Sequence, residues 1–151
     1  MLDVRRIPAD SPDAIMLVEA MVAAIVEIYG TFDRGPGPSA TPADFSPPTG
    51  GFLGLYEDDR PVAGGGVKRL TDSIAEITRM YVVPDRRGQG LARRLLVELE
   101  ALARELGYTV VRLDTGNQQP HARALYDSTG YLEIPDYNDN PYASFWGEKN
   151  L

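Results

Sequence analysis

The segment Met80-Tyr81-Val82-Val83-Pro84-Asp85-Arg86-Arg87-Gly88-Gln89-Gly90-Leu91-Ala92-Arg93-Arg94 joins two elements of opposite periodicity. It begins inside the apolar run Ile74 to Val83, which reads as a long strand closed by Pro84. It ends in a leucine stripe, Leu91, Leu95, Leu99, Leu102 and Leu106, whose spacing predicts an amphipathic helix ended by Gly107. Glycines at the start of that helix let backbone N–H groups approach a ligand closely, and the helix dipole favours an anion there. Arg86, Arg87, Arg93 and Arg94 add positive charge to the same turn. A polyanion site is the expectation; a helix start with solvated arginines is the plainer alternative.

Two familiar phosphate motifs fit poorly. A P-loop places Lys-Ser/Thr after its second glycine, whereas Leu91-Ala92 follows Gly90. A dinucleotide-binding turn needs a small residue for helix–strand packing where this chain has Arg93.

Outward from this turn, the N-terminal side reads as a strand from Val4 to Pro8 and a helix opened by Ser11-Pro12 and ended by Gly30. Residues 31–51 are proline-rich and irregular, with one helical turn expected near Pro42-Ala43-Asp44-Phe45. Such a segment is either a substrate wall or a surface excursion. Phe52 to Glu57 and Val62 to Leu70 form a hairpin around Asp58-Asp59-Arg60-Pro61. Gly64-Gly65-Gly66 in its second strand predicts a bulge or a close backbone approach. On the C-terminal side follow a strand from Tyr108 to Asp114, a helix from Pro120 to Ser128, and strands at Tyr131 to Ile134 and Ala143 to Gly147. This order predicts a mixed α/β sheet with helices on its faces.

Length and composition bound the chemistry. The 151 residues suit one domain, and 43% hydrophobic with 25% charged residues is ordinary globular composition. With no cysteine and one histidine, His121, disulfides, thiolate-bound zinc, a cysteine nucleophile and a multi-histidine metal site are all excluded. A net charge of −7 argues against broad nucleic-acid binding, while leaving room for a local basic pocket. No stretch approaches the ~20 apolar residues of a membrane span. The charged N-terminus does not read as a signal peptide, so a cytoplasmic protein is expected.

Arg87-Gly88-Gln89-Gly90-Leu91-Ala92 matches the pattern [QR]-x-x-G-x-[GA] and resembles the acetyl-CoA-binding motif of the GCN5-related N-acetyltransferase (GNAT) family. Ala122-Arg123-Ala124-Leu125-Tyr126-Asp127-Ser128-Thr129-Gly130-Tyr131 resembles that family's A-x-x-L-Y-x-x-x-G-F/Y block. The element order is similar as well, so the resemblance covers nearly the whole chain. It implies a mostly antiparallel central sheet flanked by helices, in one domain over 1–151. One departure is Gln119, where the family often carries asparagine; Asn117 lies nearby as a substitute.

The resemblance implies acetyl-CoA as donor, no metal, and direct attack by a small-molecule or peptide amine in a ternary complex. Backbone N–H groups of Arg87, Gly88, Gln89, Gly90, Leu91 and Ala92 would hold the pyrophosphate, with the Arg93 side chain added. The pantetheine arm would run beside Tyr81, Val82 and Val83, with an N–H near Val82 as oxyanion donor. Tyr126 corresponds to the family's general acid; its alternative is a tyrosine that packs and bonds locally. Glu76 is the candidate base, because even spacing from Val82 puts both side chains on one face of a regular strand. Its alternative is a solvated residue paired with Arg79 or Lys68. Asp114 either orients substrate or water, or bonds turn backbone. The late loop with Tyr137, Asn138, Asp139, Asn140 and Tyr142 either borders the acceptor pocket or is solvated. His121 reads as a surface residue. Family members are often homodimers. A CoA-binding sensor without efficient catalysis is the alternative from another functional class.

Overall fold

The computed structural model describes residues 1–32, 40–116 and 118–151. Its order is β1 (Leu2–Ile7), α1 (Pro12–Tyr29), a 3-10 turn (Pro42–Phe45), β2 (Gly51–Glu57), β3 (Arg60–Arg69), β4 (Ile74–Val82) and a second 3-10 turn (Pro84–Arg86). Then follow α2 (Leu91–Glu105), β5 (Val110–Gly116), α3 (Pro120–Ser128), β6 (Leu132–Glu133) and β7 (Ala143–Asn150). The seven strands lie in the order β1-β2-β3-β4-β5-β7-β6. Every neighbouring pair is antiparallel except β4 and β5. Among the described residues no helix is long and apolar enough to cross a membrane.

Local chemistry accounts for the helix ends. Ser11 Oγ accepts from the Ala14 N–H at 3.4 Å, Pro12 opens α1, and Gly30 ends it in the left-handed region at φ 81°. The β2–β3 turn is tighter than the sequence suggests. Asp58 and Asp59 both take positive φ, and Arg60 and Pro61 already belong to β3. Two successive left-handed residues are what a two-residue hairpin requires.

α1 covers one face of the sheet, and α2 and α3 cover the other. Leu95, Leu96, Leu99 and Leu102 of α2 pack with Leu53, Leu55, Val67, Ile77 and Val111 in a nearly water-free core. Gly66 permits the opposite face to close, because a Cβ there would lie 2.5 Å from the Phe45 ring. A buried carboxylate ties α2 to the far strand. Glu100 accepts from Tyr131 Oη at 2.7 Å and from Lys149 Nζ at 3.1 Å.

Two irregularities in the sheet create the functional region. The first is a bulge on β4. Gly64 pairs with Tyr81 but Gly66 with Thr78, so β4 carries one extra residue, and Arg79 adopts φ 61° to accommodate it. The bulge corrects the even-spacing argument. Glu76 shares a face with Thr78 and Tyr81, while Val82 is turned to the other face with Ala75 and Ile77. The second irregularity is the short pairing of β4 with β5. It runs only from Ile74↔Val110 to Glu76↔Arg112, after which β4 continues along β3 and β5 along β7. The two parallel strands therefore part beyond Glu76 and leave an opening within the sheet.

Candidate active site at the parting of two strands

The loop from β4 to α2 borders this opening. Gly88 and Gly90 both adopt φ 78°, a conformation that carries little cost only for glycine, and a Cβ at either would point into open space. Among the described residues, the N–H groups of Gly88 through Arg93 find no backbone acceptor; the first helical bond here is Arg94 N–H to Gly90 O at 3.1 Å. Orphan donors at a helix start converge on one exposed spot, which is the arrangement an anion needs. The residues present therefore fit a pyrophosphate.

The arginines beside the loop divide into two classes. Arg86 is held by Glu57 at 2.5 Å and by Asp85 at 3.1 Å, and Arg94 pairs with Glu98 at 3.2 Å. Their charge is already compensated, so the basic patch is narrower than the sequence implies. Arg93 donates to the neutral Ser128 Oγ at 3.0 Å, and Arg87 Nε to the Val82 carbonyl at 3.0 Å. Neither has a carboxylate partner among the described residues.

The edge of β4 faces the opening with backbone to spare. Val83 N–H donates to Val62 O at 2.9 Å, so antiparallel alternation turns the polar groups of Val82 away from β3. The Val82 carbonyl is taken by Arg87, and its N–H faces the space that β5 has vacated. Val83 lacks this freedom because its N–H is committed to β3. Tyr81 lies under the Arg87 guanidinium at 5.5 Å from the ring centroid.

Tyr126 approaches from the α3 side. It is 6% exposed, and among the described residues its hydroxyl has only the Met80 Sδ as a partner, a weak acceptor at 3.8 Å. Tyr131 meets its ring edge-on at 5.7 Å. Burial pushes the phenol well above its ordinary pKa, and the Asp114 charge adds to the rise. Both effects favour the neutral phenol over the phenolate.

Glu76 sits on the α1-facing side, 8% exposed. Its Oε2 accepts from Tyr137 Oη at 2.7 Å and from Asn138 Nδ2 at 3.3 Å. Its Oε1 receives no hydrogen bond among the described residues; Lys68 Nζ stands 4.0 Å away. The Arg79 guanidinium donates to the Ala40 carbonyl at 3.0 Å and lies over the Phe45 ring at 4.7 Å from its centroid. Burial raises the Glu76 pKa above the ordinary carboxylate value; the Asp114 charge adds, and Tyr137, Lys68 and Asn138 pull it back. Asp114 is raised for the same reason, with the Asn138 and Asn140 hydrogen bonds opposing. Both Asp114 oxygens are occupied, by Asn138 Nδ2 at 2.5 Å and Asn140 Nδ2 at 3.3 Å. Glu76 is thus the carboxylate with an oxygen left for chemistry.

The late loop closes over these acids rather than lying in solvent. Tyr137 and Asn138 carry the contacts to Glu76, and a polar aromatic loop in the sequence gives only an unspecific hint of that. Gln119 turns inward to its own turn, accepting from the Gly116 N–H at 3.3 Å. His121 is exposed. Asn117 falls outside the described residues.

Known proteins similar to this chain are consistent in kind. The family model described as "Acetyltransferase (GNAT) family" matches residues 20–131. An uncharacterised N-acetyltransferase of Escherichia coli strain K12 is 35% identical over 96 residues, covering 62% of this chain and 57% of that protein. The chain spans less than two thirds of the length of the first curated relatives it matches. A solved Klebsiella pneumoniae structure, a candidate acyl-CoA N-acyltransferase, superposes with TM-score 0.78 at 29% identity, covering 100% of this chain and 98% of the other. An N-acetyltransferase of Thermoplasma acidophilum solved with coenzyme A has the same fold, with TM-score 0.73 at 18% identity over 100% of this chain and 99% of that one. The motif loop, the parted strands and the matched family model agree, and the chain belongs to the GNAT acetyltransferase family.

Proposed function

We propose that this chain is a single-domain enzyme that transfers the acetyl group of acetyl-CoA to a primary amine of a small molecule or peptide. The observation that carries the reading is the meeting at one opening of an anion-binding loop, an unpaired strand edge and a buried acid with one oxygen that accepts no hydrogen bond among the described residues. Acetyl-CoA supplies an activated thioester. The N–H groups from Gly88 to Arg93, with the Arg87 and Arg93 guanidinium groups, bind its pyrophosphate. The edge at Tyr81 and Val82 receives the pantetheine arm as an added strand. Val82 N–H donates to the carbonyl oxygen as negative charge develops there.

Glu76 Oε1 takes a proton from the incoming ammonium, directly or through one water. A carboxylate raised by burial is better matched to that task than a solvated one. The neutral amine then attacks the thioester carbon. As the C–S bond breaks, Tyr126 donates its hydroxyl proton toward the leaving sulfur, and the nitrogen sheds a second proton, which replaces the one given to sulfur. The amine attacks directly in the ternary complex, a route that the absence of cysteine fits. Incubation with acetyl-labelled CoA tests this: label should pass to an amine and leave none on the chain when amine is withheld. A stable acetylated side chain on the reaction path would contradict direct attack.

A further inference from the structure

Asn138 occupies a position that the reaction itself does not explain. Its Nδ2 lies 3.3 Å from Glu76 Oε2 and 2.5 Å from Asp114 Oδ2, so one amide nitrogen spans both carboxylates. Its Oδ1 accepts from Trp146 Nε1 at 2.9 Å and from the Asn140 N–H at 3.2 Å. An indole N–H is a donor only, and so is a backbone N–H. Both therefore demand oxygen on their side of the amide and leave the NH2 no direction but the acids. The strands contribute the rest. Asp114 lies opposite Trp146 on β7, and Arg112 lies opposite both Glu76 on β4 and Glu148 on β7.

We infer that Asn138 is the positioning residue of this site: Trp146 fixes its amide, and the amide holds the Glu76 and Asp114 carboxylates together, leaving Glu76 Oε1 as the working oxygen. The inference rests on the reading of Glu76 as the base. Two carboxylates at close quarters repel, and one donor shared between them offsets that repulsion while fixing the Glu76 rotamer. Asp114 acts through Asn138 and does not itself touch the reacting atoms.

The charged and titratable groups that face the pair come from every neighbouring element. Lys68 projects from β3, Arg112 from β5, Glu148 from β7, and Tyr137 and Asp136 from the late loop. Tyr126 feels Asp114 from the α3 side. Substitution of Asn138 leaves all of these in place.

The isosteric Asn138→Asp variant is the decisive one. It keeps an oxygen for Trp146 and replaces the bridging donor by a third carboxylate oxygen. Trp146 is the chain's sole tryptophan, so its fluorescence reports on this cluster without any turnover. The fluorescence titration and the acidic limb of kcat/KM should both move to higher pH in Asn138→Asp. The same direction is expected in Asn138→Ala, which removes the donor without adding charge. Activity at the foot of the acidic limb should fall about tenfold or more, the scale of one hydrogen bond to a charged group. Trp146→Phe removes one of the two donors that pin the amide oxygen, leaving only the Asn140 N–H, and should move the acidic limb the same way by a smaller amount. A fluorescence midpoint unchanged in both Asn138 variants overturns the inference, as does a loss of thermal stability with no movement of either profile. If no amine is acetylated at all, the transfer reading fails, and the fluorescence midpoints still decide the role of Asn138.

Discussion

Arg87 Nε donates to the Val82 carbonyl at 3.0 Å, folding the phosphate loop back on the strand edge that it follows. Antiparallel alternation leaves the Val82 N–H pointing into the opening, so one residue joins the loop to the proposed reaction centre. Loss of loop geometry should therefore remove cofactor binding before it removes the fold.

Gly90→Val tests that separation. Gly90 sits at φ 78° with open space around its missing Cβ. The substitution should cost about 1–2 kcal/mol from left-handed strain, which a denaturation curve measures. Acetyl-CoA affinity by calorimetry should fall at least about tenfold, because the left-handed backbone at Gly90 that presents the orphan N–H groups is then disfavoured.

The arginines should behave unequally. Arg93→Ala should weaken acetyl-CoA binding by roughly three- to tenfold, the worth of a charge-assisted bond to phosphate. Arg86→Ala should leave it within about twofold, because Glu57 and Asp85 already compensate that guanidinium. Titrations at two salt concentrations should show the salt dependence reduced by Arg93→Ala and unchanged by Arg86→Ala.

Tyr126→Phe should lower kcat by about a hundredfold or more, in the range of general acid catalysis. Cofactor affinity and melting temperature should stay near wild type, because among the described residues the hydroxyl has only a thioether at 3.8 Å to lose. A melting temperature that drops with unchanged kcat would make this tyrosine a packing residue.

Glu76 has a pH signature in stability as well as rate. Its folded pKa lies above the ordinary 4.5, chiefly through burial, so the folded chain binds its proton more tightly than the unfolded chain does. Folding stability is then lost as pH rises from about the ordinary carboxylate value through the raised folded value. Glu76→Gln should reduce that decline, leaving the share that the likewise raised Asp114 contributes, while removing the acidic limb from the rate profile. Urea denaturation at a series of pH values checks the first, and kcat/KM against pH the second.

Much of this architecture was legible because it is local. Ser11-Pro12, Gly30, the leucine stripe from Leu91 and the strand run from Ile74 each announce themselves within a few residues. The motif loop was legible for the same reason. The bulge at Arg79 was not, because arginine carries no preference for positive φ, and only the register against β3 forces it. The partners of Glu76 were also hidden. Tyr137 lies 61 residues away in sequence, and its approach depends on how the late loop folds over β5. Charge counting saw Arg86 and Arg94 as free cations, since Glu57 reaches Arg86 only after the hairpin forms.

The most direct measurement is amine-dependent release of the CoA thiol, followed across a panel of small amines and peptides with wild-type chain and Gly90→Val side by side. The expected result is release that scales with wild-type concentration, saturates with at least one amine and is lost in Gly90→Val. Acetyl-CoA binding to the wild-type chain without thiol release for any amine, or release that persists undiminished in Gly90→Val, would contradict acetyl transfer at this opening.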